Sequence, residues 1–354
     1  MTIQISKNIT SRLMTWFEDH RRVMPWRGSK DPYHIWVSEM MLQQTQVAIV
    51  EKYYPKWIAH FPDVFSLAEA PLDDVLKVWE GLGYYTRARN FHKGAQYIVA
   101  LAESRDDPFP KTYDTWLHVP GVGPYTAAAV SSIAFGYPAG VVDANVMRVM
   151  ARLFCIEKNI ATQLYRREVF SLMNRGFYDH HPGWVNQAWM ELGSLQCTSN
   201  PDCARCPLKE HCCAHRQTKV SSYPIKTVKK TIPTRRSATF IIYQDRRYLM
   251  VQRRPEGFLG GLWECPGYTL KQASADKNHF ISFIRKNHIK IEKKHPKPVL
   301  HSYSHFHQIM DVYFASLEGK WKNKDWGGMR WVNKEELEKL PRSRICIKLF
   351  DSIK

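Results

Sequence analysis

Apolar residues recur at spacings of three and four along most of the chain up to about residue 213. Trp36 to Val50, Pro71 to Trp79, Thr126 to Phe135 and Val146 to Phe154 all carry this spacing, which gathers apolar side chains on one helical face. Few alternating stretches interrupt them, so an all-α region is expected. Residues 219 to 236, KVSSYPIKTVKKTIPTRR, are rich in Lys, Arg, Pro, Ser and Thr and read as a basic linker. Beyond them the character changes. ATFIIYQ and RRYLMVQR flank Asp245 as a hairpin, and PVLHSYSHF and QIMDVYFASL are strand-like. HFISFIRKNH reads as a helix, and RWVNKEELEKL as a strand leading into one. The expected organisation is a helical domain over 1–218, a linker over 219–236 and an α+β domain over 237–354.

At 354 residues the chain is long enough for two ordinary domains, and 44% apolar content supports packed cores. The 51 basic residues outnumber 33 acidic ones, for a net charge of +18, which attracts polyanions without saying which. Aromatic content of 13%, with 12 Trp, leans toward groups that stack on bases. No apolar run approaches the ~20 residues a bilayer span needs. The start, MTIQISKNIT, lacks the apolar core of a secretion signal. A cytoplasmic protein without membrane contact is the expectation, with its cysteines reduced.

Five of the eight cysteines nevertheless fall between Cys197 and Cys213. The run Cys197-x5-Cys203-x2-Cys206-x5-Cys212 offers four thiolates, which can hold zinc or a four-iron cluster. Structural zinc favours two tight pairs; with only one here, the wider loop better suits the bulkier cluster. Cys213 could compete as a ligand, whereas Cys155, Cys265 and Cys346 are isolated and most simply buried thiols.

Three further stretches carry candidate chemistry. In HVPGVGPYTAAAV, Gly121 and Gly123 permit a tight turn before a helix whose first N–H groups can bind a phosphate, though an ordinary helix connection reads the same way. In VVDANVMRVMARLF, Asp143 is either a helix cap or a carboxylate placed near a DNA backbone for a purpose. In PWRGSKDPYHIWVSEMMLQQTQV, Glu39 lies inside a largely apolar helix, either on its exposed stripe or in a dry pocket that raises its pKa into the range of a general acid. Gln43 and Gln44 follow as donors and acceptors suited to bases.

Taken in order, PWR, SEMMLQQTQV, GLGYYTRARN, LHVPGVGPYTAAAV, VVDANV and NQAWMELG, with the cysteine loop, resemble the helix-hairpin-helix DNA glycosylases that carry an iron–sulfur cluster, and more narrowly the MutY adenine glycosylases. The resemblance implies a multidomain protein, with an all-α helix-hairpin-helix region and a [4Fe-4S] cluster on Cys197, Cys203, Cys206 and Cys212. It implies removal of adenine opposite 8-oxoguanine or guanine in duplex DNA by a monomer. Glu39 would protonate the adenine and Asp143 stabilise the cationic sugar, supported by Tyr125 and Asn145. Arg22, Trp26, Arg27 and Gln187 would border the adenine pocket. Gln44, Thr45 and Tyr84 would meet the opposite base and the gap in the stack, with Gly121 and Gly123 on the phosphate. Related strand-cleaving enzymes have Lys at the position of Tyr125, and a phenol cannot form their imine.

The stretch LMVQRRPEGFLGGLWECPGY resembles Nudix domains, but TLKQASADKNHFISFIRKNH has none of the glutamates that hydrolytic members use for magnesium. The resemblance therefore implies a Nudix-like α+β binding module that reads the lesion through Tyr303, Ser304 and His305. Departures from the family pattern are the first cysteine gap of five, Ala144 after Asp143, and Met147. The competing readings are a bifunctional glycosylase-lyase, a non-catalytic DNA-binding protein and a nucleotide pyrophosphohydrolase.

Overall fold

The computed structural model describes residues 3–102, 106–227, 231–270, 282, 284–286, 288–318 and 328–353. In chain order its α-helices are α1 (Lys7–His20), α2 (Pro32–Leu42), α3 (Val47–His60), α4 (Val64–Glu69), α5 (Leu72–Val78), α6 (Thr86–Leu101), α7 (Tyr113–Trp116), α8 (Pro124–Phe135), α9 (Ala144–Leu153), α10 (Gln163–Asn174), α11 (Pro182–Leu195) and α12 (Cys213–Arg216). Strands β1 (Thr234–Gln244), β2 (Arg247–Gln252), β3 (Trp263–Glu264), β4 (Gly267–Leu270), β5 (Ile289–Lys294), β6 (Val299–Ser302), β7 (His307–Leu317) and β8 (Gly328–Val332) follow. Helices α13 (Lys334–Lys339) and α14 (Arg344–Ser352) close the chain. Two compact units result: residues 1–69 with 90–229, and residues 70–89 with 230–354. No helix among the described residues is long and apolar enough to cross a membrane.

In the helical unit α2 is buried almost all round, from Tyr33 to Met41. Asp31 caps it, accepting from the Tyr33 N–H at 2.8 Å, and Pro32 fits its first turn, where no N–H is needed. Trp36 meets Phe91 of α6 edge-on at 4.5 Å and Trp116 of α7 at 5.4 Å between ring centres. A second core joins α1, α9, α10 and α11 through Leu13, Phe17, Val146, Met150, Tyr165 and Trp189. Burying each side chain of Leu or Phe size contributes about 1.5–3 kcal/mol. Asn186, fully buried on α11, fixes the connection from α8 to α9: its Nδ2 donates to the Ala139 carbonyl (2.8 Å) and its Oδ1 accepts from Val141 N–H (3.0 Å). Gly193 lets α11 approach α9 closely, since a Cβ there would stand 2.7 Å from that of Asn145.

The helix expected over Trp36 to Val50 is two helices. The break falls at the amide pair, where Gln44 takes a left-handed φ of 62°.

The second unit is a mixed sheet in the order β3-β2-β1-β7-β5, with β4 on β1, β6 on β7 and β8 on β2. β1 and β7 run parallel, from Thr234 beside His307 to Ile242 beside Ala315, and the other pairs are antiparallel. The β1–β2 turn places Asp245 and Arg246 at φ of 50° and 59°, the signs a tight hairpin requires. Both faces of β1 are covered: Ile241 packs with Ile345 and Leu349 of α14, while Phe240 packs with Leu249 and Ala315. Residues 70–89 are tied into this unit. Asp73 accepts from Gln252 Nε2 (3.0 Å) and Trp263 Nε1 (3.1 Å), and Arg89 Nη1 donates to the Gly260 carbonyl at 2.6 Å.

The stretch read as a linker is ordered at both ends. Tyr223 is buried in the helical core, and β1 already begins at Thr234. Half of the expected helix HFISFIRKNH lies outside the described residues; of the rest, residues 282 and 284–286 are helical.

Candidate active site

A cavity of about 490 Å³ opens in the helical unit, and all eight residues expected for catalysis and the base pocket line it. Helix α2 supplies Glu39 and α8 supplies Tyr125. Asp143 and Asn145 start α9, Gln187 belongs to α11, and the stretch after α1 brings Arg22, Trp26 and Arg27.

Glu39 is buried, with 5% exposure, so the pocket reading holds and the exposed-stripe reading does not. Burial, together with the charge of Asp143, pushes its pKa up to about 7, although the Tyr125 hydroxyl donates to Glu39 Oε2 and Arg27 lies near, both opposing the rise. Burial likewise raises the Tyr125 phenol well above its usual range. Asp143 is both a helix cap and a cavity carboxylate: its Oδ1 accepts from Val146 N–H at 2.6 Å and its Oδ2 from Asn145 Nδ2 at 3.1 Å. Burial raises its pKa against those two donors and Arg148.

Sequence reasoning missed Glu191, although it stands inside NQAWMELG. It is 2% exposed and takes Arg22 in a fork, Nε to Oε1 at 2.9 Å and Nη2 to Oε2 at 3.0 Å. Arg27 Nη2 joins at 3.1 Å. Burial pushes Glu191 up, but the two guanidiniums and the Arg22 N–H outweigh it, and its pKa falls below the usual carboxylate value. Among the described residues Arg27 Nε and Nη1 are buried without an acceptor. The signal for Glu191 was its place four residues after Gln187, on the same helical face.

Gln43, read as facing bases, instead donates from Nε2 to Thr126 Oγ1 at 3.0 Å and ties α2 to α8. Gln44 is exposed, and Thr45 reaches the cavity. Tyr84, in the other unit, is 46% exposed at a left-handed φ of 48°. Such a conformation is strained for glutamine and tyrosine and clusters at functional positions. Gly121, at φ 81°, makes the hairpin turn; a Cβ there would stand 2.5 Å from that of Asn90. Gly123 caps α8, and Pro124 begins it.

Tyr303, Ser304 and His305 form the turn between β6 and β7, closed by the Tyr303 N–H donating to the Phe306 carbonyl at 2.9 Å. Ser304 and His305 are exposed, Oγ and Nδ1 3.2 Å apart. Among the described residues the hydroxyl of the half-buried Tyr303 has no hydrogen-bond partner.

Cys197, Cys203, Cys206 and Cys212 are free thiols around one small cavity of about 30 Å³. Arg152 holds that loop: it donates to Cys197 Sγ (3.4 Å) and to the Thr198 carbonyl (2.6 Å). Among the described residues no three His, Cys, Asp or Glu side chains stand close enough for a single metal ion. Cys155 and Cys213 form a disulfide, so Cys155 is not the isolated buried thiol expected of it and neither cysteine is reduced. Their Cα atoms, 58 residues apart in sequence, lie 5.6 Å from each other, within bridging reach. Cys213 is thereby withdrawn as a competing ligand.

Comparison with known proteins agrees with both units. Residues 37–174 match the HhH-GPD superfamily of base excision DNA repair proteins, and residues 238–352 match the NUDIX domain. An adenine DNA glycosylase of Mus musculus is 31% identical over 397 residues, covering 96% of this chain and 76% of that protein. One from Buchnera aphidicola subsp. Baizongia pistaciae is 34% identical over 310 residues, covering 86% and 84%. Among solved structures, a thermostable thymine-DNA glycosylase superposes with a TM-score of 0.51 at 27% identity, over 59% of this chain and 95% of that one.

Proposed function

The chain belongs to the adenine DNA glycosylase family of base excision repair enzymes, and we propose that its substrate is duplex DNA with adenine opposite 8-oxoguanine or guanine. The observation that carries the mechanism is the buried Glu39, with a pKa of about 7 and Asp143 lining the same cavity. A carboxyl group half protonated near neutral pH donates a proton readily and takes one back.

The adenine swings out of the duplex into the cavity, where Arg22, Trp26, Arg27 and Gln187 border it. Glu39 gives its proton to a ring nitrogen. The bond from sugar to base breaks, its electron pair leaves with the adenine, and positive charge spreads over the sugar ring. Asp143 stabilises that charge. Water adds to the sugar carbon and its surplus proton restores Glu39, leaving an abasic site. Tyr125 orients the acid, and Asn145 orients Asp143. Gln44, Thr45 and Tyr84 meet the opposite base and the gap in the stack, Gly121 and Gly123 hold a phosphate, and Ser304 with Tyr303 and His305 reads the lesion.

Among the described residues the one lysine lining this cavity is Lys30, which is exposed, and the position at the head of α8 beside Glu39 is held by Tyr125, a phenol that forms no imine. Base removal without strand cleavage follows. The four free cysteines fit a [4Fe-4S] cluster. Four thiolates on one ion crowd to about 3.8 Å from one another, given metal–sulfur bonds near 2.3 Å. Thiols spaced around a shared cavity suit a cluster in which each binds its own iron. It would brace the loop and take no part in breaking the sugar–base bond.

The test is to incubate the protein with duplexes carrying adenine opposite each base and measure abasic sites. Release of adenine opposite 8-oxoguanine and guanine, and not opposite thymine, is the expected result.

A further inference from the structure

Arg342 lies just before α14 and is 8% exposed. Its backbone is satisfied: the N–H donates to Glu80 Oε1 at 2.8 Å, and the carbonyl accepts from the Tyr85 hydroxyl at 3.1 Å. Its guanidinium is not. Among the described residues its Nε is sealed from solvent without an acceptor. The Phe350 ring lies 5.9 Å from it, and the buried Cys265 and Cys346 thiols are near enough to feel its charge. Leaving a buried guanidinium donor without an acceptor is costly, because the lost hydration is not replaced.

The same side chain lines a cavity of about 280 Å³ between β2, α13 and α14. Tyr248, Leu337, Ile347 and Phe350 give it apolar walls. Glu338 and Asp351, with the single Lys334, stand exposed along its lining. Two acids beside one lysine repel a multiply charged anion or a DNA backbone, while the interior offers one cation among apolar surfaces. None of these residues belongs to the cavity of Glu39 or to the turn of Ser304.

We propose that this cavity is a second binding site, taking a single carboxylate carried on an apolar body. The carboxylate pairs with Arg342 in the bidentate manner that a guanidinium favours, and the apolar body fills the space against Leu337, Ile347 and Phe350. Such a group comes either from a small aromatic or aliphatic acid or from an acidic side chain flanked by apolar ones on a partner protein.

The full chain should be titrated with benzoate, with the peptide acetyl-Leu-Glu-Phe-amide and with inorganic phosphate, following thermal unfolding and heat of binding. At least one carboxylate probe is expected to raise the unfolding temperature saturably, and phosphate is not. A response to benzoate alone points to a small acid, and a response to the peptide to a protein partner. In Arg342→Met the binding should weaken by about tenfold or more. Ile347→Trp, which fills the cavity and leaves Arg342 in place, should abolish it and decides the matter if the methionine variant folds poorly. Adenine release should be unchanged in both. Silence from both carboxylate probes, equal binding of phosphate, or binding that survives in Arg342→Met or Ile347→Trp overturns the proposal.

Discussion

The Tyr125 hydroxyl on α8 donates to the Glu39 carboxylate on α2 and opposes the rise in pKa that burial imposes there. Without that donor the acid would be held protonated to still higher pH. Tyr125→Phe should therefore move the alkaline limb of single-turnover adenine release upward while lowering the rate only modestly. An unmoved limb would separate the phenol from the tuning of the acid.

Glu39→Gln should bind DNA and lose nearly all turnover, by about 10²–10⁴-fold, the usual worth of general acid help. The parent rate should fall as pH rises through about 7, the pKa of the buried acid. Stability follows the same sign. A carboxyl raised from 4.5 to about 7 favours the folded state while protonated, and that contribution is lost as pH rises from 4.5 through 7. At about 1.4 kcal/mol per unit, the loss approaches roughly 3 kcal/mol. The glutamine variant should escape it, so its unfolding temperature should gain on the parent's between pH 5 and 8.

Glu191 neutralises Arg22 and Arg27 from a fully enclosed position. Glu191→Ala leaves both guanidiniums without their acceptor, and breaking a buried pair costs about 3–5 kcal/mol. Denaturant unfolding should show a loss of that size. A loss within about 0.5 kcal/mol, the range of ordinary surface substitutions, would mean that water replaces the carboxylate.

Ser304→Ala should lower the preference for 8-oxoguanine over guanine only modestly. The two bases differ by one oxygen and one proton, and a neutral hydrogen bond nets about 0.5–1.5 kcal/mol, or roughly 2–13-fold. Single-turnover rates on the two duplexes measure it. A loss of a hundredfold would give the serine more than a single hydrogen bond.

The purified protein should be brown from iron–thiolate absorbance, and Cys203→Ser should bleach it and impair solubility or DNA binding before chemistry. Colourless protein containing one equivalent of zinc would refute the cluster. Cys213→Ser should stay brown, because its sulfur is engaged with Cys155.

Helices with uninterrupted periodicity were legible in the sequence, as α8 and α9 show, because a local pattern decides them. The division of the helix expected over Trp36 to Val50 was not. Four polar residues, Gln43 to Gln46, part Leu42 from Val47 by five positions, but polar residues also line exposed helical faces, so the interruption reads as a break only once Gln44 is seen at its left-handed φ. The cavity residues were legible through ordered motifs. Glu191 escaped because a buried acid looks like a solvated one until its arginines, 169 and 164 residues away, are brought to it. The Cys155–Cys213 bridge escaped for the same reason, since pairing over such a separation leaves no local trace. Gln43 was misassigned because its partner, Thr126, comes from another helix.

Residues 70–89 interrupt the helical unit and belong to the other one, so the polypeptide passes from one unit to the other three times. A stop codon near residue 218 therefore does not cut at a natural seam. It would strip the strands and helices from around Leu76, Trp79 and Tyr85, all enclosed in the intact protein, and present a sticky stub in their place. Loss of lesion preference in such a fragment could not be credited to the missing turn of Ser304 alone. For protein engineering the lesson is concrete: the C-terminal unit is not a cassette to be clipped off or exchanged, and any graft must carry the 70–89 segment with it.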